Sequence, residues 1–318
     1  TQPDLVAAVT NAGGLGMFAG PNVPTETLRA ILTQIGSIVG DGPFGVGFLM
    51  PFLDLECARI AAETADTVEF FYDAPTRPLV DEIHGRGALC GWQIGSVDEA
   101  NAAIEAGCDY VVAQGVEAGG HVRGTLPLFE LLSTVRTTVP APIVASGGLG
   151  DADTVARAFE VGADAVRIGT RFLAAKESVA HPEYIEALID AEAGETTLTT
   201  AFSVMWPDAP HRVLQSCIDT AEAVAGDVVG EMQVGPERQA VQPKHDRQHP
   251  RDCAVRRPVG AACNSHRTCE RDSFRTAVEG TVTDHVRSVG LRHPFHDFHG
   301  KPHHRLIEGF MKVFLVLR

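Results

Sequence analysis

The sequence predicts an α/β protein, and within that class a (β/α)8 barrel of the TIM type. Three features predict it: short apolar runs alternate with amphipathic segments from Leu15 to Leu173, glycine is abundant at 32 residues, and aromatic residues are scarce at 6%. Short buried strands that alternate with helices form parallel sheets, and glycine suits the tight turns between them. An open doubly wound sheet competes, but no Gly-x-Gly-x-x-Gly motif follows an early strand, which favours the barrel.

The predicted elements follow one another at the spacing of a barrel. After an opening helix that begins at Pro3, the predicted strands are Leu15–Gly20, Phe44–Met50, Thr67–Tyr72, Ala88–Ile94, Asp109–Gln114, Ile143–Ser146 and Ala165–Ile168. The predicted helices between them are Thr25–Val39, Leu55–Ala65, Pro78–Arg86, Val97–Ala106, Leu126–Val139 and Asp151–Val161. Ser96 and Glu99 predict a capping box for one of these helices. A barrel needs eight strands, so we expect its first strand to lie before Thr1.

Three parts are predicted along the chain. Residues 1–180 form the barrel domain, which is expected to bind the cofactor. Residues 181–227 form an excursion, either a lid at the barrel mouth or a plain surface connection, that closes with a helix over Val213–Ala225. Residues 228–318 form an aberrant tail in which no strand or helix period is sustained before Leu306–Leu317.

The tail is rich in histidine, because residues 245–304 hold nine of the thirteen histidines. A disordered basic tail and an out-of-frame translation both explain this abrupt change of composition, and we favour the second. A metal site explains it poorly, because Cys253, Cys263, His266 and Cys269 lack paired ligand spacing.

Charge and cysteine usage limit the partners of the protein. The formal net charge is −15, and acidic residues dominate up to about residue 237, so the surface should not attract nucleic acid. The cysteines form no disulfide framework, and neither a signal peptide nor an apolar run of membrane-spanning length is found. We therefore expect a cytoplasmic protein that binds no metal, nucleic acid or membrane. The oligomeric state is not indicated.

Three glycine-rich loops follow late predicted strands: Gln114–His121, Ala145–Gly150 and Arg167–Arg171. The last two would be neighbours in a closed barrel, at the position where barrels bind phosphate through backbone N–H groups. Glycine permits this because a Cβ would block close approach of the backbone. Tight turns alone also explain such glycines, but two adjacent loops favour phosphate binding. The candidate phosphate ligands are Gly147, Gly148, Gly169 and Thr170.

His121 is the candidate catalytic residue, because it follows two glycines at the carboxyl end of a predicted strand, where an imidazole can act as a base. The alternative is a histidine that is satisfied in the core or on the surface. Gln114 could hydrogen-bond a polar ring edge or tie down a loop. Glu117 either orients His121 or pairs with Arg123. His84 is expected at the surface, and His211, beside Arg212 and near Trp206, is a weaker candidate for a substrate-facing group.

With these motifs in hand, the chain resembles the nitronate monooxygenase family over roughly residues 1–227. The segment Gln114-Gly115-Val116-Glu117-Ala118-Gly119-Gly120-His121 carries most of the resemblance. The supporting motifs are Asn11-Ala12-Gly13-Gly14-Leu15-Gly16, Trp92-Gln93, Ser146-Gly147-Gly148-Leu149 and Gly169-Thr170-Arg171-Phe172.

The resemblance implies a TIM-type barrel that binds FMN. It implies that Gln114, Gly119 and Gly120 lie against the flavin, that the four residues named above hold its phosphate, and that His121 takes the α-proton of a nitroalkane. The substrates would be an alkyl nitronate or nitroalkane and dioxygen, and the products a carbonyl compound and nitrite. The redox step belongs to the cofactor, and the protein supplies position and electrostatics.

Two alternatives and four departures accompany the resemblance. The alternatives are a flavin-dependent enoyl reductase of fatty-acid synthesis and a catalytically silent fragment. The family's first strand, with its methionine-containing flavin loop, and its final segment are not found. Gly47 stands where the family often has Asn, and Arg167 where Gln is common. A barrel that lacks a strand has two exposed edges, so we expect weak folding or weak flavin binding.

Overall fold

A computed structural model describes residues 2–192, 194–201, 206, 208–225 and 313–316. Contacts divide the chain into two compact units. The first comprises residues 1–118, 123–179 and 279–318, and the second comprises residues 119–122 and 180–278. Gly119–Val122 belong to the second unit because they supply a strand to its sheet.

The first unit is a closed barrel of parallel strands, which confirms the predicted (β/α)8 class. Its strands are β1 (Leu15–Ala19), β2 (Phe44–Leu49), β3 (Thr67–Phe71), β4 (Leu89–Ile94), β5 (Tyr110–Gln114), β7 (Ile143–Ser146), β8 (Ala165–Ile168) and β11 (Val313–Val316). Around the barrel they run in the order β1, β11, β8, β7, β5, β4, β3, β2. Seven of them are the predicted strands, with ends that differ by at most one residue.

The eighth strand requires a correction. We expected the strand between β1 and β8 to lie before Thr1, and we expected the segment that contains β11 to belong to an irregular tail. In the structure β11 pairs with both neighbours, placing Leu315 opposite Gly16 and opposite Ile168. Strand edges carry unpaired N–H and C=O groups, so a short apolar run that fills the gap satisfies both edges. The other residues of the tail lie outside the described residues, and so do the cysteines and histidines considered there as metal ligands.

Helices lie between successive barrel strands, as the alternating pattern predicts. They are α2 (Thr25–Val39), α3 (Leu55–Thr64), α4 (Arg77–His84), α5 (Val97–Ala106), α6 (Leu128–Thr138) and α7 (Ala152–Val161), and α1 (Pro3–Asn11) precedes β1. A 3-10 helix over Thr170–Ala174 follows β8. None of the helices in the described part of the chain is long and apolar enough to cross a membrane.

The predicted capping box of α5 is only half formed. Ser96 accepts the N–H of Glu99 at 3.2 Å, but the Glu99 carboxylate accepts the N–H of Gly95 rather than that of Ser96. A reciprocal box forms instead at α7, where Asp151 and Thr154 each accept from the other's backbone. Both helices therefore begin with their exposed N–H groups satisfied by their own side chains.

Two apolar layers hold the barrel. The outward face of the strands packs against the helices, for example where Phe70 and Trp92 bring their rings to 5.3 Å between centroids. A smaller cluster fills the lower interior around Met17 and Tyr110. Small residues make room for these large side chains, because a Cβ on Gly45 would overlap Met17 and one on Gly91 would overlap the Tyr110 ring.

The second unit contains a three-stranded antiparallel sheet. Its order is β6 (Gly120–His121), β10 (His211–Leu214) and β9 (Thr196–Thr199). Two helices accompany it, α8 (Pro182–Asp190) and α9 (Gln215–Ala225). The predicted helix over Val213–Ala225 therefore begins two residues late, because Val213 and Leu214 pair with β9.

Candidate active site

The glycine loops of the first unit follow strands that are neighbours in the barrel. Gln114 ends β5, Ser146 ends β7, and they are opposite each other in register; Ser146 is in turn opposite Arg167 of β8. The carboxyl ends of β5, β7 and β8 therefore lie side by side at one edge. In barrels of this class that edge carries the functional residues.

The Gly147-Gly148 loop exposes backbone in a conformation that requires glycine. Gly147 has φ of +111° and Gly148 of +65°. A Cβ on Gly147 would also lie 3.0 Å from the amide nitrogen of Ala118 and 3.1 Å from the oxygen of Gly115. Gly148 is exposed, and no described residue accepts a hydrogen bond from its N–H or from that of Leu149. These free donors fit the oxygens of a phosphate group.

The second loop lies beside the first. Gly169 precedes the 3-10 helix that Thr170 begins, and Thr170 is exposed. The candidate phosphate ligands of both loops thus project from neighbouring strands. The N-terminus of α7 is less suited to the phosphate, because Asp151 already accepts the N–H of Thr154 at 2.7 Å and carries negative charge.

A buried polar layer lies on the inward side of the strands. Arg167 of β8 donates to both carboxylate oxygens of Glu69 on β3, one at 2.6 Å, and to the amide oxygen of Gln93 on β4 at 3.1 Å. All three residues are at least 95% buried. Gln114 and Ser146 are also buried polar residues of strand ends. A charged group is taken from water only at a high cost, so the pair must be held by these bonds.

Two buried donors of this layer lack a partner among the described residues: Nε2 of Gln93 and Nε of Arg167. Buried donors in proteins nearly always have an acceptor, so each indicates a missing partner. The ring of a flavin carries carbonyl and ring-nitrogen acceptors, which would suit such donors. Gly47, at the same level of β2, adds open space, because a Cβ there would meet only the oxygen of Phe18, at 4.0 Å. The residues present therefore fit a flavin phosphate and a flavin ring.

The pair of Glu117 with Arg123, one of the two roles considered for Glu117, does not form. The Glu117 carboxylate accepts the N–H of Leu128 at 3.0 Å, where it caps the start of α6. Arg123 instead pairs with Glu99 at 2.6 Å. Glu117 and Arg123 thus each stabilise a loop through another partner. Glu117 binds the N-terminus of α6 because the unpaired N–H groups there attract a nearby carboxylate.

The candidate base lies in the second unit. His121 of β6 is directly opposite His211 of β10, and their ring centroids are 5.4 Å apart. The indole of Trp206 lies 4.8 Å from the His121 ring at an angle of 30°. Burial lowers the pKa of the His211 imidazole, and a hydrogen bond with the backbone of Ala209 acts in the opposite direction. His211, a weaker candidate from sequence, is thus a direct neighbour of His121.

The remaining histidines of the described part have structural roles. His84 is partly exposed and bonds the carboxylate of Asp109 at 2.8 Å, at the start of β5. This is the opposite edge of the barrel from the glycine loops. The His181 ring accepts the N–H of Glu183 and caps α8. No group of three or more His, Cys, Asp or Glu within the described ranges is placed to hold a metal ion.

Sequence reasoning gave no role to three residues of the buried layer: Glu69, Gln93 and Ser146. The available signal was the alternation of inward and outward side chains along a strand. Val68 and Phe70 of β3 face the helices, so Glu69 between them must face inward. A carboxylate at an inward position of a buried strand predicts a buried partner, although not which one.

The family follows from a comparison with known proteins. A family model described as nitronate monooxygenase matches residues 52–222 of the chain. The chain belongs to the nitronate monooxygenase family. Nitronate monooxygenase of Pseudomonas aeruginosa is 31% identical over 254 residues, which is 64% of this chain and 71% of that protein. Enzymes of this family are in general flavin-dependent oxidoreductases.

Other relatives differ in the activity that their names state. A relative from Rhodococcus jostii, 31% identical over 72% of this chain, is named (3aS,4S,5R,7aS)-5-hydroxy-7a-methyl-1-oxo-octahydro-1H-indene-4-carboxyl-CoA dehydrogenase. The chain spans about three fifths of that protein, 63%, and 59% of a Mycobacterium tuberculosis protein of the same name.

Two solved structures share the fold. FabK from Thermotoga maritima matches with a TM-score of 0.64 and 31% identity, over 71% of this chain and 72% of FabK. Nitroalkane oxidase from Streptomyces ansochromogenes matches with a TM-score of 0.59 and 29% identity, over 73% and 84%.

Proposed function

We propose that the protein is an FMN-dependent nitronate monooxygenase. It oxidises alkyl nitronates or nitroalkanes with dioxygen to a carbonyl compound and nitrite. The observation that carries the proposal is the arrangement at one edge of the barrel, where the backbone N–H groups of Gly148 and Leu149 have no acceptor among the described residues and lie next to a buried layer with unpartnered donors. Such a combination suits a ligand with an anionic end and a polar ring.

The proposed cofactor contacts come from both loops and from the strand ends. Gly147, Gly148, Gly169 and Thr170 hold the phosphate, and Gln114 with Gly119 and Gly120 contacts the ring. The nitronate monooxygenases and nitroalkane oxidase among the relatives support a flavin, and the free backbone donors support its phosphate ester. When bound, the flavin accepts the electrons of the substrate and passes them to dioxygen.

His121 is the proposed base. A neutral nitroalkane must lose its α-proton, whereas a nitronate has already lost it. An imidazole that titrates near neutral pH can accept that proton, and a positioned base of this kind contributes roughly 10²–10⁴-fold to the rate. The segment Gly119–Val122, which carries His121, directly follows Ala118 in the chain.

The test compares two substrates on one variant. In His121→Asn we expect FMN to remain bound, turnover of a neutral nitroalkane to fall by about 10²-fold or more, and turnover of the matching nitronate to change by less than about threefold. FMN binding is measured first, by quenching of flavin fluorescence on titration. Equal losses on both substrates would refute the base role.

An enoyl reductase or a related CoA-ester enzyme is the second candidate. The similarity to FabK and to the CoA dehydrogenases favours it. The acidic composition disfavours docking of an acidic carrier protein, because like charges repel. Anaerobic mixing separates the candidates: bleaching of the bound flavin by nitronate supports the first, and bleaching by NADH or NADPH supports the second. A chain that binds no FMN and is not stabilised by it is the silent fragment.

The proposed location is the cytoplasm. The four cysteines in the described part, Cys57, Cys90, Cys108 and Cys217, are all free thiols. Free buried cysteines are usual in a reducing compartment. The proposed partners are the small substrate and dioxygen.

A further inference from the structure

The second unit holds two imidazoles at a distance that allows them to share a proton. His121 and His211 are directly opposite on antiparallel strands, so their side chains lie on the same face of the sheet. Their centroids are 5.4 Å apart and the rings are inclined at 45°. Two imidazoles joined by an N–H···N bond of about 2.9 Å have centroids roughly 5 Å apart, because each nitrogen lies about 1 Å from its ring centre.

A hydrogen bond with the backbone determines which ring nitrogen of His211 carries the hydrogen and which one can accept a hydrogen bond. One side of its ring is hydrogen-bonded to the backbone of Ala209, a fully buried residue in the turn before β10. A carbonyl can only accept, so the nitrogen that faces it carries hydrogen. In a neutral imidazole the other nitrogen then carries a lone pair. Because burial lowers the pKa of His211, the ring is neutral near pH 7 and keeps that lone pair.

Trp206 covers the other histidine. Its indole lies 4.8 Å from the His121 ring, at an angle of 30°. An aromatic face this close limits tilting of the ring and attracts a cation above it. It therefore favours His121 both as an oriented base and as the imidazolium that forms after proton transfer.

We propose that His211 is a positioning residue for His121, whose N–H it accepts so that the second nitrogen of His121 presents its lone pair to the substrate. The proposal rests on the proposed function, in which His121 is the base. When the substrate C–H bond breaks, its electron pair stays on the substrate and the proton binds His121. The resulting imidazolium keeps its bond to neutral His211.

The residues around His121 indicate that an imidazole, rather than a carboxylate, accepts its N–H. Among the described residues of β6, β9, β10 and the turn before β10, the other charged side chains are Arg212 and Asp208, and Asp208 is exposed. Helix α9 packs against β10 and carries Asp219 and Glu222, both exposed. Bases are commonly oriented by a third group that accepts the N–H of the imidazole. His211 is placed to be that group.

The experiment uses the full chain loaded with FMN and labelled with ¹⁵N-histidine. Ring signals are assigned by their loss in His121→Asn and in His211→Gln. The wild type should show His211 neutral at pH 7 with one protonated nitrogen, and His121 with its hydrogen on the nitrogen that faces His211. A protonated His211 at pH 7, or a His121 tautomer that turns its lone pair toward His211, would overturn the proposal without any variant.

The variants test the consequence for catalysis. His211→Phe keeps a flat ring and removes the acceptor, so His121 should lose about tenfold in proton affinity, which is a downward shift of its titration midpoint. A base acts when deprotonated, so the rising limb of kcat/KM against pH moves to lower pH. The plateau for neutral nitroethane falls by about tenfold because a weaker base abstracts the proton more slowly. The nitronate should react as in the wild type.

Two comparisons separate this role from simple damage. His211→Gln retains an acceptor oxygen and should recover most of the loss, whereas a Gln variant as impaired as the Phe variant contradicts the proposal. Thr197→Val, an isosteric change on the same face of the sheet in β9, should leave titration and rates unchanged. If the wild type oxidises neither nitroethane nor its nitronate, the proposed function fails, and the ring tautomers still decide whether the pair exists.

Discussion

Replacing Glu69 with glutamine leaves the Arg167 guanidinium buried without a carboxylate. The two side chains are 6% and 5% exposed, and glutamine has the size of glutamate, so the change removes charge without making a cavity. Breaking a buried pair by neutralising one partner costs about 3–5 kcal/mol, because the other charge stays uncompensated. At about 2–4 °C per kcal/mol for a domain of this size, the melting temperature should fall by roughly 6–20 °C.

The partner variant should behave differently with pH. In Arg167→Met a lone carboxyl remains, and it can avoid buried charge by taking up a proton, whereas a guanidinium cannot lose one. Proton uptake by the folded chain stabilises it at low pH, and this stabilisation is lost as pH rises. Arg167→Met should therefore cost less stability near pH 5 than near pH 8, while Glu69→Gln should cost about the same at both.

Denaturant unfolding of Glu69→Gln, Arg167→Met and the double variant gives the free energies of a double-mutant cycle. The double variant removes both charges, so it should be more stable than Glu69→Gln alone. Midpoints and slopes are measured on the FMN-free full chain, so that cofactor binding does not enter. If the single costs simply add within about 0.5 kcal/mol, the two side chains are not coupled and the reasoning is refuted.

Four further outcomes are expected. Gly147→Ala should lower the free energy of unfolding by about 1–2 kcal/mol and weaken FMN binding, because the φ of Gly147 is positive. Gly150→Ala is the control: a Cβ there has no atom within 4 Å, so denaturant unfolding and flavin titration should give wild-type values. Gln93→Leu should weaken FMN binding by about tenfold, since its Nε2 lacks a partner among the described residues, and should cost the FMN-free chain about 1–2 kcal/mol, because Arg167 loses the amide acceptor and keeps Glu69. The wild type should lose stability as pH falls from the unfolded-state pKa of histidine through the lowered pKa of His211, and His211→Gln should remove that part of the pH dependence. Leu315→Pro should destabilise the chain strongly and Leu315→Ile should not, because proline removes a ladder donor; equal stabilities would show that β11 is dispensable.

The barrel strands were predictable because their signal is local. Runs such as Tyr110–Gln114 are short, apolar and bounded by turn residues, so their type and order follow from the sequence alone. The strand β10 was missed because its four residues join directly to α9 and form a strand only by pairing with β9 and β6. The strand β11 was missed for the same reason, since its partners lie about 300 residues and 150 residues earlier in the chain.

The candidate site was predictable in its loops and not in its interior. Glycines that follow a strand are visible along the chain, and the structure places Gly147 and Gly169 after neighbouring strands. The bond between Glu69 and Arg167 joins residues 98 positions apart, and only barrel closure brings them together. Likewise the pairing of His121 with His211 depends on an antiparallel register that no local pattern encodes.

Gly47 and Arg167, the two positions where the sequence differs from what the resemblance leads us to expect, meet at one residue. Glu69 is opposite Gly47 in the register of β2 and β3, and it receives the guanidinium of Arg167. A glutamine at position 167, which the resemblance leads us to expect, would be neutral and shorter, so it could not compensate this carboxylate. Arg167→Gln alone would therefore leave a buried acid without a cation and should destabilise the barrel. The combined change Glu69→Gln and Arg167→Gln removes both charges, so it should cost the barrel less stability than Arg167→Gln alone.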